Sequence, residues 1–304
     1  MRKKGIVRGQ KLSYNAGIEN RYKREILALI HKMTTETTRE ITMLFTGKIA
    51  DSYFDKIDDS MAMDATLGSS KTRSLSSKSR ILLNQLNKKF DLLFQSEAPK
   101  MANSMVDSTA KYSKNSINKS LGQISEQFTL KGGPVNKDNQ EVAKSMVTEN
   151  VSLIKSIPDE YFKNITGAVM RSISSGNGLA DLVPYFEKTI RATEKPKQGS
   201  LEYYDKSVKR RASLISLDQT RKAYTSINKQ NLLSAGVKQF EWSHSFGGAH
   251  PRESHIRIDG KIFSYDNLES EQASLGVPES DRGLPGYPVN CRCTMIAVLN
   301  FDDL

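Results

Sequence analysis

The chain has 304 residues, of which 37% are apolar and 26% charged, a composition sufficient for one large folded domain or two smaller ones. Its 45 lysines and arginines outnumber 34 aspartates and glutamates, so the formal net charge is +11. No apolar run reaches the roughly 18 residues of a membrane-spanning helix, and the basic start, Met1 to Gly5, lacks the apolar segment of a secretory signal.

The positive charge belongs to the first three quarters of the chain. Residues 237–304 contain 6 basic and 10 acidic side chains, a charge of −4, which leaves 39 basic and 24 acidic side chains and a charge of +15 in residues 1–236. A basic surface attracts phosphate backbones, anionic lipids or acidic proteins, and charge alone does not choose among them. The two cysteines are one residue apart and cannot form a disulfide framework, so we expect a protein made in a reducing cytoplasm.

Helical spacing of apolar residues dominates the first 236 positions. After a polar arm of about 14 residues, Ile18, Tyr22 and Ile26 begin one helical face, and the threonine-rich stretch 34–38 is predicted to weaken that helix. Residues 64–81 are rich in serine, threonine, glycine and lysine, which indicates an exposed loop.

Further helices are predicted downstream, beginning with a long segment from Leu83 that is ended by Gly132-Gly133-Pro134. The later predictions are helices at 138–156, 158–175 and 179–192, a polar loop at 194–199 and a long helix at 204–234. Gln219 interrupts the apolar face of that last helix. We interpret it as a hydrogen-bonded buried amide, the alternative being a polar contact to the following loop.

From Val237 the period changes from 3.6 to 2, which predicts a strand with Phe240, Trp242 and His244 on one face. Short strands are also predicted at 262–265 and 293–299. The predicted fold is mainly α, with long helices in a bundle or hairpin and a small α+β C-terminal module containing a short antiparallel sheet.

The C-terminal module concentrates metal-ligand chemistry. Both cysteines, Cys291 and Cys293, and three of the four histidines lie there. Thiolates and imidazoles are the ligands of structural zinc, so Cys291, Cys293, His250 and His255 form a candidate Cys₂His₂ site, with His244 as the alternative ligand. Two small buried thiols that bind no metal are the competing interpretation.

A catalytic interpretation rests on carboxylates near the same histidines. Asp259 and Asp266 could serve as base and acid in metal-assisted hydrolysis, although Asp259-Gly260 is more simply a turn. No phosphate-binding glycine loop, His-Glu-x-x-His helix or Gly-x-Ser-x-Gly elbow is present, and no catalytic residue is assigned.

Several motifs together resemble the phage Mu F-like family of minor head proteins, also called phage head morphogenesis proteins. They are Arg211-Ala212-Ser213-Leu214-Ile215 and Asp218-Gln219-Thr220-Arg221, a strand that ends in Trp242, the middle element Arg252-x-x-His255-x-x-x-Asp259-Gly260-Lys261, and the cysteine end Pro288-Val289-Asn290-Cys291-Arg292-Cys293-Thr294. The resemblance covers roughly residues 135–298. It divides the chain into a long-helix region, 1–134, and a Mu F-like domain, 135–304, whose small β module is 237–304.

The resemblance implies a minor capsid protein of a tailed phage, made in the bacterial cytoplasm and located inside the head. Such a protein is bound to the portal and assists head assembly, DNA packaging or DNA delivery. Implied partners are the portal protein, packaged DNA near the basic residues of 1–236, and a major capsid or scaffold protein. No membrane contact is expected. We assign portal binding to the N-terminal region of about 130 residues.

Relatives that carry Cys-x-x-Cys in the middle element look like four-cysteine metal sites. Here Arg252 and His255 stand in those positions, so Arg252 departs from the pattern and a fourth ligand would have to be His250 or His244. We expect the middle element and the cysteine end to meet and to fasten the module, by metal or by buried hydrogen bonds. The alternative functions are a zinc-dependent nuclease or other hydrolase acting on nucleic acid, with Asp259 as base, and a non-specific DNA-binding protein.

Overall fold

The computed structural model describes residues 5–55, 74–122, 137–176, 201–247 and 251–300. In chain order its elements are β1 (Ile6–Leu12), α1 (Ala16–Phe45), α2 (Ser52–Asp55), α3 (Leu75–Gly122), α4 (Lys137–Ser174), α5 (Leu201–Ser234), β2 (Gln239–Ser243), α6 (Glu253–Arg257), β3 (Ile262–Ser264), α7 (Leu268–Ser274), the 3₁₀ turn Glu279–Asp281 and β4 (Thr294–Asn300). The predicted fold class, mainly α with a small antiparallel sheet, is confirmed.

The chain forms two compact units. One comprises Arg24–Pro99 and Val151–Ser213 and is helical. Its core collects the apolar stripes of the helices, and the Phe90 and Phe162 rings are stacked with centroids 6.2 Å apart. Other fully buried members are Ile26, Ile30, Met33, Phe54, Phe94, Ile154 and Tyr161. Burying large apolar side chains at a spacing of three and four stabilises these helices more than intrinsic propensity does.

The other unit comprises Met1–Lys23, Lys100–Asn150 and Leu214–Leu304, and it holds the sheet. Among the described residues the strands run antiparallel in the order β1-β4-β2-β3. Phe240 and Trp242 are fully buried and lie on one face of β2, as the period of two predicts. They pack in one cluster with Ile117, Tyr224, Leu232, Met295 and Leu299.

The N-terminal arm is a strand and not the polar arm that the sequence predicts. Residues of β1 pair with β4, with Val7 opposite Leu299 and Leu12 opposite Met295. Leu12 is 1% exposed and belongs to the apolar cluster. Because β1 is an edge strand with a register irregularity between Arg8 and Lys11, its apolar residues do not alternate regularly and carry little strand signal.

Helix α4 is continuous where two helices are predicted, at 138–156 and 158–175. Pro158 lies inside it. A proline removes one backbone donor and leaves the carbonyl four residues earlier without its partner. The neighbouring Ile157, Tyr161 and Phe162 are buried, and this packing holds the helix together across the proline.

Helix α3 begins inside the stretch 64–81, which is predicted as a loop. Residues 75–81 are helical, and Ser74 caps the helix, because its hydroxyl accepts the Ser77 N–H at 3.2 Å. The threonine-rich stretch of α1 is also helical throughout, with the Thr42 hydroxyl donating to the Thr38 carbonyl at 2.8 Å. Local composition is a poor guide at both places, because a cap starts α3 and because burial of Met33, Thr34, Thr37 and Ile41 outweighs the low helix propensity of threonine in α1.

Gln219 is a satisfied buried amide, as interpreted from the sequence. It is 2% exposed, accepts the Asn150 side-chain N–H at 3.2 Å and donates to a Glu149 oxygen at 2.9 Å. The Tyr22 hydroxyl donates to the oxygen of Asn150 at 2.7 Å. A buried amide with partners on donor and acceptor costs little stability and specifies how its neighbours pack.

Other predictions fall outside the described residues: the Gly132-Gly133-Pro134 stop, the helix 179–192 and the loop 194–199. The boundary between 134 and 135 also lies outside them and stays a prediction. Across the described part of the chain, none of the helices combines the length and the apolar character needed to cross a bilayer.

Candidate metal centre

His255 lies on the short helix α6 and is 2% exposed. Its ring meets the Trp242 ring edge to face, with centroids 4.9 Å apart. Its Nε2 is 2.8 Å from the backbone carbonyl of Asp281. Because a carbonyl oxygen can only accept a hydrogen bond, Nε2 is the donor and carries a proton. This bond fixes the orientation of the ring and directs Nδ1 to the opposite side.

The two cysteine sulfurs lie on that other side. His255 Nδ1 is 3.6 Å from Cys291 Sγ and 3.7 Å from Cys293 Sγ, and the cysteines are 3% and 2% exposed. Among the described residues, these three form the group of histidine, cysteine and acidic side chains whose ligand atoms lie within 4.8 Å of one another. The middle element and the cysteine end therefore meet, as predicted.

This spacing fits a tetrahedral zinc ion. Zinc bonds of about 2.3 Å to sulfur and about 2.0–2.1 Å to nitrogen, at tetrahedral angles, put nitrogen and sulfur about 3.6 Å apart. The observed separations, 3.6 and 3.7 Å, agree with that value. The donor set, two thiols and an imidazole held by a second hydrogen bond, also suits zinc.

The three groups shift one another's pKa through their hydrogen bonds. A hydrogen bond from the Cys293 thiol lowers the pKa of Cys291 to about 4, and His255 adds to this effect against burial. The same hydrogen bond, together with burial, raises the pKa of Cys293. Burial lowers the pKa of His255, but its hydrogen bonds to Cys291 and the Asp281 carbonyl raise it overall. Metal binding at thiols and an imidazole requires their deprotonated forms, so a lowered thiol pKa favours it.

The cysteine end is a turn, and the strand that the sequence starts at Cys293 begins one residue later, at Thr294. Asn290 has φ +61, and the Cys291 N–H donates to the Pro288 carbonyl at 2.8 Å. The Gly286 N–H donates to Cys291 Sγ at 3.4 Å. The turn directs both sulfurs to the same point.

Arg252 joins the middle element to the cysteine end without being a metal ligand. Its Nε donates to Asp281 Oδ1 and its Nη2 donates to the Val289 carbonyl, both at 2.9 Å. The Ser254 hydroxyl donates to Asp281 Oδ2 at 2.7 Å. Burial works to raise the pKa of Asp281, but the hydrogen bond from Ser254 and the charge of Arg252 lower it overall. Arg252 thus links the middle element directly to the cysteine end through Val289, and to the turn at Asp281.

We expect Arg252→Lys to lower the free energy of unfolding by about 1–2 kcal/mol, because a single ammonium cannot replace two hydrogen bonds that a planar guanidinium makes in different directions. Urea denaturation at pH 7 measures the change. Arg257→Lys is the matched control on the same helix, since Arg257 makes an exposed hydrogen bond to the Gly276 carbonyl. Equal losses in the two variants would contradict a special role for Arg252.

Among the described residues, the alternative ligand His244 does not join the three ligands. His244 is 6% exposed, and its Nδ1 accepts the Phe246 N–H at 3.1 Å; it is outside the cluster of ligand atoms. His250 lies outside the described residues. Arg292 donates to the Gly247 carbonyl at 2.7 Å, and Pro288 is buried.

Asp259-Gly260 forms the turn that its sequence predicts. Gly260 has φ +73, and its N–H donates to the Trp242 carbonyl at 2.8 Å. The Asp259 carboxylate accepts the His244 N–H at 2.7 Å. A carboxylate used in this way positions backbone, which is the simpler explanation for the motif. Asp266 follows β3, and its N–H donates to the Ser264 hydroxyl at 3.2 Å.

Asp281, Tyr14 and Arg221 also bond to the backbone or side chains of the centre formed by His255, Cys291 and Cys293, and no pattern in the sequence predicts these contacts. Asp281 lies in a turn with no recognisable motif. Tyr14 lies more than 270 residues from the cysteines. Arg221 is in one of the quoted helix motifs, and an arginine that is 8% exposed on a helix is unusual enough to suggest a buried partner.

Comparisons with known proteins agree with the resemblance. Residues 163–296 match the family model described as "Phage Mu protein F like protein". An "Uncharacterized protein" of Haemophilus influenzae (strain ATCC 51907 / DSM 11121 / KW20 / Rd) is 31% identical over 160 residues, which cover 53% of this chain and 30% of that protein. The chain therefore matches less than a third of the length of that relative. No solved structure matches.

Proposed function

We infer that this chain, a phage Mu F-like protein by its residues 163–296, acts in phage head morphogenesis as a minor capsid protein of a tailed phage. The observation that carries the proposal is the family match, which spans all three residues of the buried centre. In this proposal the protein is made in the bacterial cytoplasm and is located in the virion, inside the head. There it assists head assembly, DNA packaging or DNA delivery.

The centre supports a structural role over a catalytic one. His255, Cys291 and Cys293 are each at most 3% exposed, so a phosphodiester could not reach an ion between them without an opening of the module. Catalytic zinc sites keep an open position, whereas structural sites are closed. We propose that the three residues hold a structural zinc ion and that His250 supplies the fourth ligand.

The portal protein is the proposed main partner, with the contact in residues 1–134. Deleting that region is a poor test, because β1 would be lost from the sheet. A photo-crosslinking amino acid in place of Leu92, which is 66% exposed on α3, probes the full chain instead. The matched position is Phe246, which is 65% exposed in the C-terminal module. The proposal requires portal crosslinks from position 92; crosslinks from position 246 alone would reassign the surface.

Packaged DNA is the second proposed partner, through the +15 charge of residues 1–236, and a major capsid or scaffold protein is a third. DNA affinity of this origin falls steeply as salt rises. No DNA binding at low salt would remove DNA from the partners. It would leave the head role intact, because the family match does not depend on DNA contact.

A zinc-dependent nuclease is the competing function. It is tested by incubating the full chain with linear DNA and divalent metals, with His255→Ala as control. If the role is structural, the full chain cleaves DNA no faster than His255→Ala does. Cleavage that needs metal and disappears in the variant would replace the structural role by an enzymatic one.

A further inference from the structure

The backbone carbonyls of Cys291 and Cys293 lie outside the sheet. Cys291 and Cys293 precede β4, so their carbonyls are not part of the sheet ladder. Buried carbonyls require donors, since an unsatisfied one costs free energy comparable to a lost hydrogen bond. Both carbonyls receive a side-chain donor, and each donor comes from an element distant in sequence.

Tyr14 supplies the first donor. Its hydroxyl donates to the Cys293 carbonyl at 2.6 Å, and its ring packs edge to face on Tyr224, with centroids 5.3 Å apart. Two residues earlier, the Leu12 carbonyl accepts the hydroxyl of Thr294, next to Cys293. The pairing of β1 with β4 places both groups there.

Arg221 supplies the second donor. Its Nη1 donates to the Cys291 carbonyl at 3.2 Å, and its Nη2 lies 3.4 Å from a Glu19 carboxylate oxygen. The guanidinium carbon is 5.4 Å from the centre of the Tyr14 ring. The two donors are therefore in contact with each other as well as with the cysteine backbone.

We propose that the N-terminal segment 6–14 is an integral part of the cysteine-histidine centre, and that Tyr14 and Arg221 are positioning residues that hold the two cysteine carbonyls so that both sulfurs face His255. Segment 6–14 lies outside the region of family similarity, 163–296, yet it closes the centre. The centre thus depends on two segments that are 279 residues apart, the separation of Tyr14 and Cys293. This inference concerns the folded protein and does not rest on the head role.

The test compares two tyrosine-to-phenylalanine variants of the full chain. Tyr14→Phe removes the donor to Cys293. Tyr22→Phe is the matched control, because Tyr22 is a buried tyrosine of the same unit whose hydroxyl donates to Asn150 at 2.7 Å, a residue distant in sequence from the cysteine end. The readout is the rate at which a thiol reagent labels Cys291 and Cys293 under native conditions, with denaturation measured in parallel.

We expect Tyr14→Phe to raise the labelling rate about five-fold, the change in a local opening equilibrium that follows from the loss of one hydrogen bond. Tyr22→Phe lowers overall stability by a similar amount and leaves native-state labelling within two-fold of the parent. Arg221→Lys, a second variant at the other carbonyl, behaves like Tyr14→Phe. The proposal would be overturned if the cysteines of Tyr14→Phe and Arg221→Lys were labelled no faster than those of Tyr22→Phe.

Discussion

His255→Ala is expected to lower the free energy of unfolding by on the order of 3 kcal/mol or more. The substitution removes a buried ring that packs on Trp242 and leaves the Asp281 carbonyl without its donor. It also removes the nitrogen that lies beside the two cysteine sulfurs. Loss of packing and an unsatisfied buried carbonyl each cost about 1–3 kcal/mol, and loss of the proposed zinc ion would add to this. Urea denaturation of the purified full chain measures the total.

The matched control is His31→Ala, because His31 is exposed on α1 and is distant in sequence from the cysteines. We expect it to change stability by about 0.5 kcal/mol or less. Native mass spectrometry of the same samples reports the metal: one zinc ion on the parent and on His31→Ala, none on His255→Ala. A parent protein without zinc, from zinc-supplied cells, would remove the ion but leave the packing and hydrogen-bond losses in place.

Gly286→Ala is expected to have the second large effect. A Cβ at this position would approach the Tyr14 hydroxyl to less than 3.0 Å and would also crowd the Thr225 hydroxyl, and the residue has φ +88. The Gly286 N–H also donates to Cys291 Sγ, so a backbone shift that relieves the clash would disturb the centre. We expect a loss of about 3–4 kcal/mol, of which about 1 kcal/mol is the cost of a positive φ.

Gly236→Ala separates the two contributions. Gly236 follows α5 with φ +81, and a Cβ there would meet nothing within 4 Å, so it incurs the backbone cost alone. The difference between the two variants, about 2 kcal/mol or more, measures how tightly the N-terminal segment packs on the centre. Equal destabilisation of the two would show that Tyr14 gives way freely, contrary to the positioning role proposed for it.

Local patterns predicted the parts of the fold that neighbouring residues determine. Period two placed Phe240 and Trp242 on a buried face, and Gly236 marked the end of α5. The glycine turn at Gly260 has its positive φ. These features depend on sterics within a few residues, so a single sequence is enough to identify them.

Features that depend on distant contacts were not predicted. β1 is a strand because β4 supplies its hydrogen bonds, and α4 continues through Pro158 because its neighbours are buried. At the centre, residue types indicated His255 and the cysteines as partners, but no spacing could indicate Asp281, whose carbonyl orients the imidazole. Hydrogen bonds to backbone carbonyls leave no mark on the acceptor residue's identity, which is why such partners escape analysis of sequence.

Mass spectrometry of purified phage particles tests the central claim, that this chain is a structural component of the phage head. DNA-filled heads from the phage or prophage that encodes the chain are separated from free protein on a density gradient and digested. We expect peptides of this chain in the filled heads, at few copies relative to the major capsid protein. Absence of these peptides from filled heads, in a lysate that contains the protein, would contradict it.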